Sequence, residues 1–240
     1  MDNTELMLKE LTEASGISGY ESEIRAIMRR RFMPLGDLSQ DKLGSLICRK
    51  KGTDDEPRIL IAGHMDEIGF MVKFITADGF LRVVPLGGWP PQNLLAHRVS
   101  IETSTGSVLG IIAARPFHMM TEDERKKPLD RKDVFIDIGA TSKEEVEAAG
   151  VRLGDPIVPV SEFSILKPEK RTYMAKAFDD RIGNAVCISV LENLGGTHPN
   201  TVYGVATTQE EVGVRGATTC ADCISPDVAM SSRCTTRASG

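Results

Sequence analysis

The sequence predicts an α/β domain into which a small β-rich domain is inserted. Three observations predict it. The runs Arg58-Ile59-Leu60-Ile61-Ala62-Gly63 and Thr201-Val202-Tyr203-Gly204-Val205-Ala206 read as buried strands, the first apolar on both faces as at the centre of an α/β sheet. Helical periodicity flanks them. Between about Met71 and Val160 the texture changes to short β-branched runs separated by turn signals, the pattern of a small barrel or sandwich. The expected division is 1–70 plus 161–240 for the α/β domain and 71–160 for the insertion.

The elements follow in order. Thr4 to Ala14 places Leu6, Met7, Leu11 and Ala14 at helical spacing. Ser18-Gly19-Tyr20-Glu21 fits a capping box that opens a second helix through about Phe32, closed by Pro34 and Gly36. Leu46-Ile47-Cys48 reads as a strand, ended by the polar turn Lys51 to Asp55. In the insertion, Met71–Ile75, Leu81–Val84, Val99–Thr103, Val108–Ala113, Val134–Ile138 and Ile157-Val158 read as strands. Thr121–Lys132 reads as a charged loop, and Ser142 caps a short helix through Ala149 with Glu145 three residues on. Ile182 to Leu194 is expected as a helix with Ile182, Val186, Val190, Leu191 and Leu194 on its buried face. Gly216 to Cys223 reads as a short helix, and Pro226 to Met230 starts like a further strand that runs into the polar tail Ser231 to Gly240.

Composition excludes several classes. Of 240 residues, 41% are apolar and 26% charged, with a net charge of -5, so a nucleic-acid binder is not expected. Arg29-Arg30-Arg31 reads as a solvated helix face. The start lacks a basic, then apolar leader, and no run reaches the ~18 apolar residues of a membrane span, which points to a cytoplasmic, non-membrane protein. Five cysteines, an odd number, argue against a disulfide framework. Cys220-x-x-Cys223 lacks the second pair that a zinc clip needs. His97, His118 and His198 have no ligand partner at useful spacing.

The chemistry gathers at the C-terminal ends of predicted strands, where open α/β sheets place their sites. His64-x-Asp66 follows the first central strand, Asp179-Asp180 follows the segment Tyr173–Ala177, and Glu210-Glu211 follows the next strand. An imidazole and carboxylates suit Zn²⁺, Co²⁺ or Mn²⁺. A carboxylate can bridge two cations, another can fix the ligand histidine's tautomer, and a free glutamate can move a proton. Each motif alone has a plainer reading: a core histidine, a helix cap, a surface charge pair. Together they favour a metal site, because adjacent acids at a sheet edge repel unless a cation sits there.

Gly63-His64-Met65-Asp66-Glu67-Ile68-Gly69, Ala177-Phe178-Asp179-Asp180-Arg181-Ile182-Gly183 and Gln209-Glu210-Glu211-Val212-Gly213-Val214-Arg215-Gly216 closely resemble the tetrahedral (deblocking or glutamyl) aminopeptidases, a family of cocatalytic metallopeptidases, over residues 1 to about 230. The resemblance implies a mixed-sheet, helix-flanked zinc-peptidase-type catalytic domain with an inserted PDZ-like β-barrel that mediates dimers and, through them, assemblies of up to twelve subunits. It implies peptide substrates and two divalent ions per subunit, Zn²⁺ or Co²⁺ or else Mn²⁺. By motif, His64 is implied as a ligand of one metal, Asp66 as its orienting carboxylate, and Asp179 as the bridging ligand. Asp180 is implied as a support beside it, Glu210 as the general base and Glu211 as a ligand of the second metal. The chain departs from the family where an Asp is expected after the last strand and reads Ser231-Ser232-Arg233 instead; the family's later ligand histidine is absent too. A C-terminally truncated site with weak metal binding and little or no activity is therefore expected. The rival readings are an endoglucanase-type glycoside hydrolase and a non-catalytic assembly subunit.

Overall fold

The computed structural model describes residues 1–90 and 93–232. Along the chain run α1 (Asn3–Glu13), α2 (Ser22–Phe32), β1 (Asp37–Gln40), β2 (Leu46–Lys50), β3 (Ile59–His64), β4 (Gly69–Ile75), β5 (Leu81–Leu86), β6 (Arg98–Thr103) and β7 (Gly106–Ala114). Then come α3 (Glu122–Arg125), β8 (Val134–Asp137), α4 (Lys143–Ala148), β9 (Pro156–Pro159), β10 (Ser164–Lys167) and β11 (Thr172–Met174). The last are α5 (Phe178–Asn193), β12 (Val202–Thr207), α6 (Arg215–Ile224) and β13 (Val228–Ser231). Two compact units result: Met1–Glu67 with the residues from Glu162 on, and Ile68–Ser161. The unit line falls at the start of β4, three residues before the position expected from sequence texture.

The first unit is built on a mixed five-stranded sheet ordered β1-β2-β12-β3-β13. β3 runs parallel to β12 and to β13, while β2 runs antiparallel to β12. Residues alternate between faces along each strand. Leu46 and Cys48 of β2, with Val202 and Ala206 of β12, point into a core shared with Met7, Leu11, Ile24, Met28, Phe32, Ile188 and Leu191 of α1, α2 and α5. Ile47, Leu60 and Val205 point the other way and pack on Cys220 and Ile224 of α6. Each fully buried side chain of this kind contributes about 1.5–3 kcal/mol. The register pairs Gly63 with Ala206 and His64 with Thr207, so β3 and β12 end side by side and release their loops at the same edge.

The second unit is a closed barrel, β4-β5-β8-β7-β6-β9, filled by Phe70, Val72, Leu81, Val99, Ile101, Ile136 and Ile157. Of the two shapes expected, barrel and sandwich, closure wins and leaves no strand edge open. The charged segment expected as a loop carries α3 and a 3-10 turn at Arg131–Asp133. Ser142 caps α4 as expected, accepting the Glu145 N–H at 3.2 Å. Among the described residues no helix is long and apolar enough to cross a membrane.

Three local expectations are corrected. Ser18 and Glu21 form no capping box: α2 starts after Glu21 with no side-chain cap. The capping box lies on α1 instead, where Asp2 and Glu5 exchange bonds of 2.9 and 3.0 Å. The buried face of α5 is Arg181, Asn184, Ala185, Cys187, Ile188 and Leu191, whereas Ile182 and Val186 are exposed. Polar residues claim that face because they satisfy buried main-chain carbonyls: Arg181 donates to Leu11 and Ala14, and Asn184 to His64. β3 is only half-buried at Ile59, Ile61 and Ala62, since its neighbour β13 is an exposed edge strand. The predicted tail beyond Ser232, with Cys234, lies outside the described residues.

Gly63 and Gly183 let α5 approach β3 closely. A Cβ on Gly63 would lie 2.5 Å from the Gly183 carbonyl carbon and 2.6 Å from the Asn184 nitrogen, both main-chain atoms that cannot yield without moving the helix. Gly63→Ala should therefore lower stability in urea unfolding by about 1–3 kcal/mol. Gly195→Ala, which meets nothing within 4 Å, should be neutral or stabilising by up to about 1 kcal/mol.

Candidate metal centre

His64 is the last residue of β3, and its backbone pairing with Thr207 brings the Thr208–Glu211 segment alongside. The Met65 N–H donates to the Thr207 carbonyl at 2.7 Å, extending the ladder past both strand ends. The chain then turns inward and buries Asp66 completely. A buried carboxylate needs donors, and Asp66 has three: the backbone N–H groups of Glu210 (2.9 Å) and Glu211 (3.0 Å) and the Ser18 hydroxyl (2.5 Å). Burial pushes the Asp66 carboxyl up, but the adjacent His64 ring and the Ser18 and Glu210 hydrogen bonds outweigh it and hold it below the usual range. Asp66 thus anchors the loop that carries the two glutamates.

The His64 ring is oriented by the Asp66 main chain. Nδ1 lies 2.9 Å from the Asp66 carbonyl oxygen and 3.5 Å from the carboxylate Oδ1. A carbonyl only accepts, so Nδ1 carries hydrogen and Nε2 faces the acids. Nε2 is 3.2 Å from Asp179 Oδ1 and 3.9 Å from Glu210 Oε2. Burial alone would lower the imidazolium pKa; the Asp66 hydrogen bond and charge, with Glu210 and Asp180, push it up to about 9.

Asp179 and Asp180 differ sharply. Asp179 has a 61% exposed side chain that reaches His64. Asp180 is buried, accepts the Gly183 N–H at 3.2 Å like a helix cap, and receives the Ser232 hydroxyl at 2.7 and 2.8 Å. Both aspartates have non-helical backbone angles, so the regular helix starts after them. Burial, with the Asp179 charge adding, raises the Asp180 carboxyl above its ordinary value. Burial also raises Glu211, helped by Glu210, Asp66 and Asp179.

The five sequence-predicted site residues therefore meet at one edge. Ligand atoms of His64, Glu210 and Glu211 lie within 4.8 Å of one another. Glu210, expected as a base, sits inside this compact group, and Asp179, expected as a bridging ligand, stands beside it at His64. A cleft of about 450 Å³ opens over these residues, lined also by Thr207, Val214 and Ala217. The donor set fits a divalent cation: His64 Nε2 faces the acids and can coordinate once its proton leaves, and burial with neighbouring negative charge raises the Asp180 and Glu211 carboxyls.

Sequence reading missed the supports. Glu67 accepts from Lys176 Nζ at 2.6 Å and lies 3.6 Å from Arg181 Nη2, all three buried. This cluster ties the loop after β3 to the start of α5 and to α1, since Lys176 and Arg181 also donate to the Ala14 carbonyl. Burial lowers the Lys176 and Arg181 pKa values. The signal was there: Glu67 and Arg181 stand inside the chemistry-bearing motifs with no reaction role. The Cys220-x-x-Cys223 pair is split, Cys220 facing Asp41 at 3.5 Å from the core and Cys223 exposed.

Comparisons place these features among known proteins. The family model described as M42 glutamyl aminopeptidase matches residues 44–239, and one described as AMPT matches residues 2–28. The FrvX protein of Escherichia coli (strain K12) is 42% identical over 226 residues, covering 93% of this chain and 62% of its own length. A crystal structure of a TET aminopeptidase from the marine sediment archaeon Thaumarchaeota archaeon SCGC AB-539-E09 superposes with a TM-score of 0.92 at 50% identity, over 96% of this chain and 66% of that one. A Pyrococcus horikoshii TET1 peptidase, which can assemble into a tetrahedron or a large octahedral shell, gives 0.86 at 33% identity, over 98% of this chain and 70% of that one. The chain thus spans less than two thirds of the FrvX protein's length.

Proton and cation compete for His64. Below pH about 9 the ring holds a proton that a cation must displace, so affinity rises as pH rises. Calorimetric titration of Co²⁺ from about pH 6 to about pH 8 should show affinity climbing about tenfold per unit, and His64→Gln should weaken binding and flatten that slope.

Proposed function

The chain belongs to the M42 glutamyl aminopeptidase family, and on that premise we propose that its site removes N-terminal residues from peptides with the aid of two divalent cations. The observation that carries the reading is the convergence of His64, Glu210 and Glu211 ligand atoms within 4.8 Å at the joined ends of β3 and β12. His64 would hold one cation through Nε2 and Glu211 the other, with Asp179, 3.2 Å from His64 Nε2, as the carboxylate the two would share. Nitrogen and oxygen donors of this mix suit Zn²⁺ or Co²⁺, and also Mn²⁺. When bound, the cations polarise the scissile carbonyl and acidify a water.

The chain's own residues do the rest. Glu210, 37% exposed and open to the cleft, takes a proton from the attacking water and returns it to the leaving amine nitrogen. Asp66 holds the Glu210 N–H, which keeps that carboxylate over the cleft. Asp179, Asp180, Glu210 and Glu211 make the cleft strongly acidic, which favours a substrate's free α-ammonium and so the first residue of a peptide. No aromatic side chain lines the cleft among the described residues, which leaves nothing to stack on a sugar and disfavours the glycosidase reading. Homo-oligomers built through the β unit belong to the same proposal.

The test is hydrolysis of aminoacyl-p-nitroanilides. Ser231-Ser232-Arg233 stands where the family's Asp is expected, so cations should bind weakly and the assay uses them in excess. Expected is slow turnover that a chelator abolishes and that spares N-acetylated peptides. Glu210→Gln should lower kcat by about 10²–10⁴ with little change in KM. Turnover that survives chelation, or equal cleavage of blocked peptides, refutes the proposal; no turnover at saturating cation leaves the non-catalytic assembly reading.

A further inference from the structure

Glu21 is a buried carboxylate that no helix cap and no proposed ligand role accounts for. It is 1% exposed, yet α2 behind it has no side-chain cap. Its Oε1 accepts the Gly19 N–H at 2.8 Å, the Thr208 hydroxyl, and the Gln209 N–H at 3.2 Å. Its Oε2 accepts from Arg25 Nη2 at 3.2 Å. Two of these partners, Thr208 and Gln209, immediately precede Glu210 and Glu211.

Gln209 needs holding. Its φ is +54°, a left-handed conformation that a side chain with a Cβ adopts at a cost. The carboxylate of Glu21 secures the Gln209 N–H, and Asp66 secures the next two. Two buried carboxylates thus grip three consecutive backbone N–H groups, and the Ser45 hydroxyl takes the Thr208 N–H before them at 3.4 Å. The same turn supplies both grips, because Ser18 donates to Asp66 and Glu21 follows three residues later. The loop so held carries two like charges that would otherwise swing apart into water.

We propose that Glu21 is a positioning residue of the cation centre: it fixes the Thr208–Gln209 backbone so that the Glu210 and Glu211 carboxylates stand ready beside His64. This rests on the reading of the site as a cation centre. Glu21 touches neither cation nor substrate; its effect passes through the backbone it holds. A charged group suits the task because one oxygen must accept from three donors at once.

The experiment is a Co²⁺ titration of the 240-residue chain, followed by its visible absorption, with thermal melts to show that each variant is folded. Expected is that Glu21→Ala weakens Co²⁺ binding by about 10–100-fold and alters the band shape, as loss of a support behind the ligands does. Glu21→Gln, which keeps one acceptor for the loop but loses the charge and sets an amide NH2 against Arg25, should bind Co²⁺ more weakly than the unaltered chain and more tightly than Glu21→Ala. A folded Glu21→Ala with unchanged affinity and spectrum overturns the proposal while leaving the cation centre standing. If Glu21→Ala does not fold, Thr208→Val decides: removing that hydroxyl at equal volume should weaken Co²⁺ binding several-fold, about what one charged hydrogen bond is worth, and unchanged binding overturns the proposal. If the unaltered chain takes up no Co²⁺, the cation-centre reading itself fails and this proposal falls with it.

Discussion

The Asp66 carboxylate, sealed from solvent and bonded to the N–H groups of Glu210 and Glu211, is the contact from which the geometry of the site unfolds. A buried carboxylate without donors would cost several kcal/mol. The chain meets that need with main-chain groups of the facing loop, and in doing so fixes where the next two side chains emerge. The peptide carbonyl of the same residue fixes the His64 ring. One residue therefore sets the place of three others, through its side chain in one direction and its backbone in the other.

What it assembles is electrostatically unfinished. Asp179, Asp180, Glu210 and Glu211 share one cleft with a single imidazole. Burial and mutual repulsion raise Asp180 and Glu211, while the surrounding acids raise His64. Carboxylates and imidazole alike shift upward, and negative charge in a half-buried space contributes to both: it adds to burial at Asp180 and Glu211 and overrides burial at His64. A proton on His64 answers it in part; a divalent cation answers it more fully, since it offsets several acids at once.

The supports behind this cleft are themselves charged, and all but Arg25 are buried. Glu67 with Lys176 and Arg181, and Glu21 with Arg25, tie α1, α2 and α5 to the loops after β3 and β12. Such pairs contribute little net stability. They act by direction, because each charged group finds its donors in only one arrangement of those loops.

The sequence alone determined the α/β character, the inserted β-rich segment and where its strands lie along the chain, since period-two and 3.6-residue patterns depend on neighbours along the chain; the pairing order and barrel closure came from the fold. It also singled out His64, Asp66, Asp179, Glu210 and Glu211, because strand ends and paired acids are local features, and the fold brings these five to one edge. Tertiary structure decided the rest. Ser18 and Glu21 match a capping box in sequence, yet face residues 48 and 187 positions away, Asp66 and Thr208. The buried face of α5 was misread because Arg181 and Asn184 serve main-chain carbonyls that only the fold brings near. Long-range hydrogen bonds compete with local ones for the same side chains, and a one-dimensional pattern shows only the local competitor.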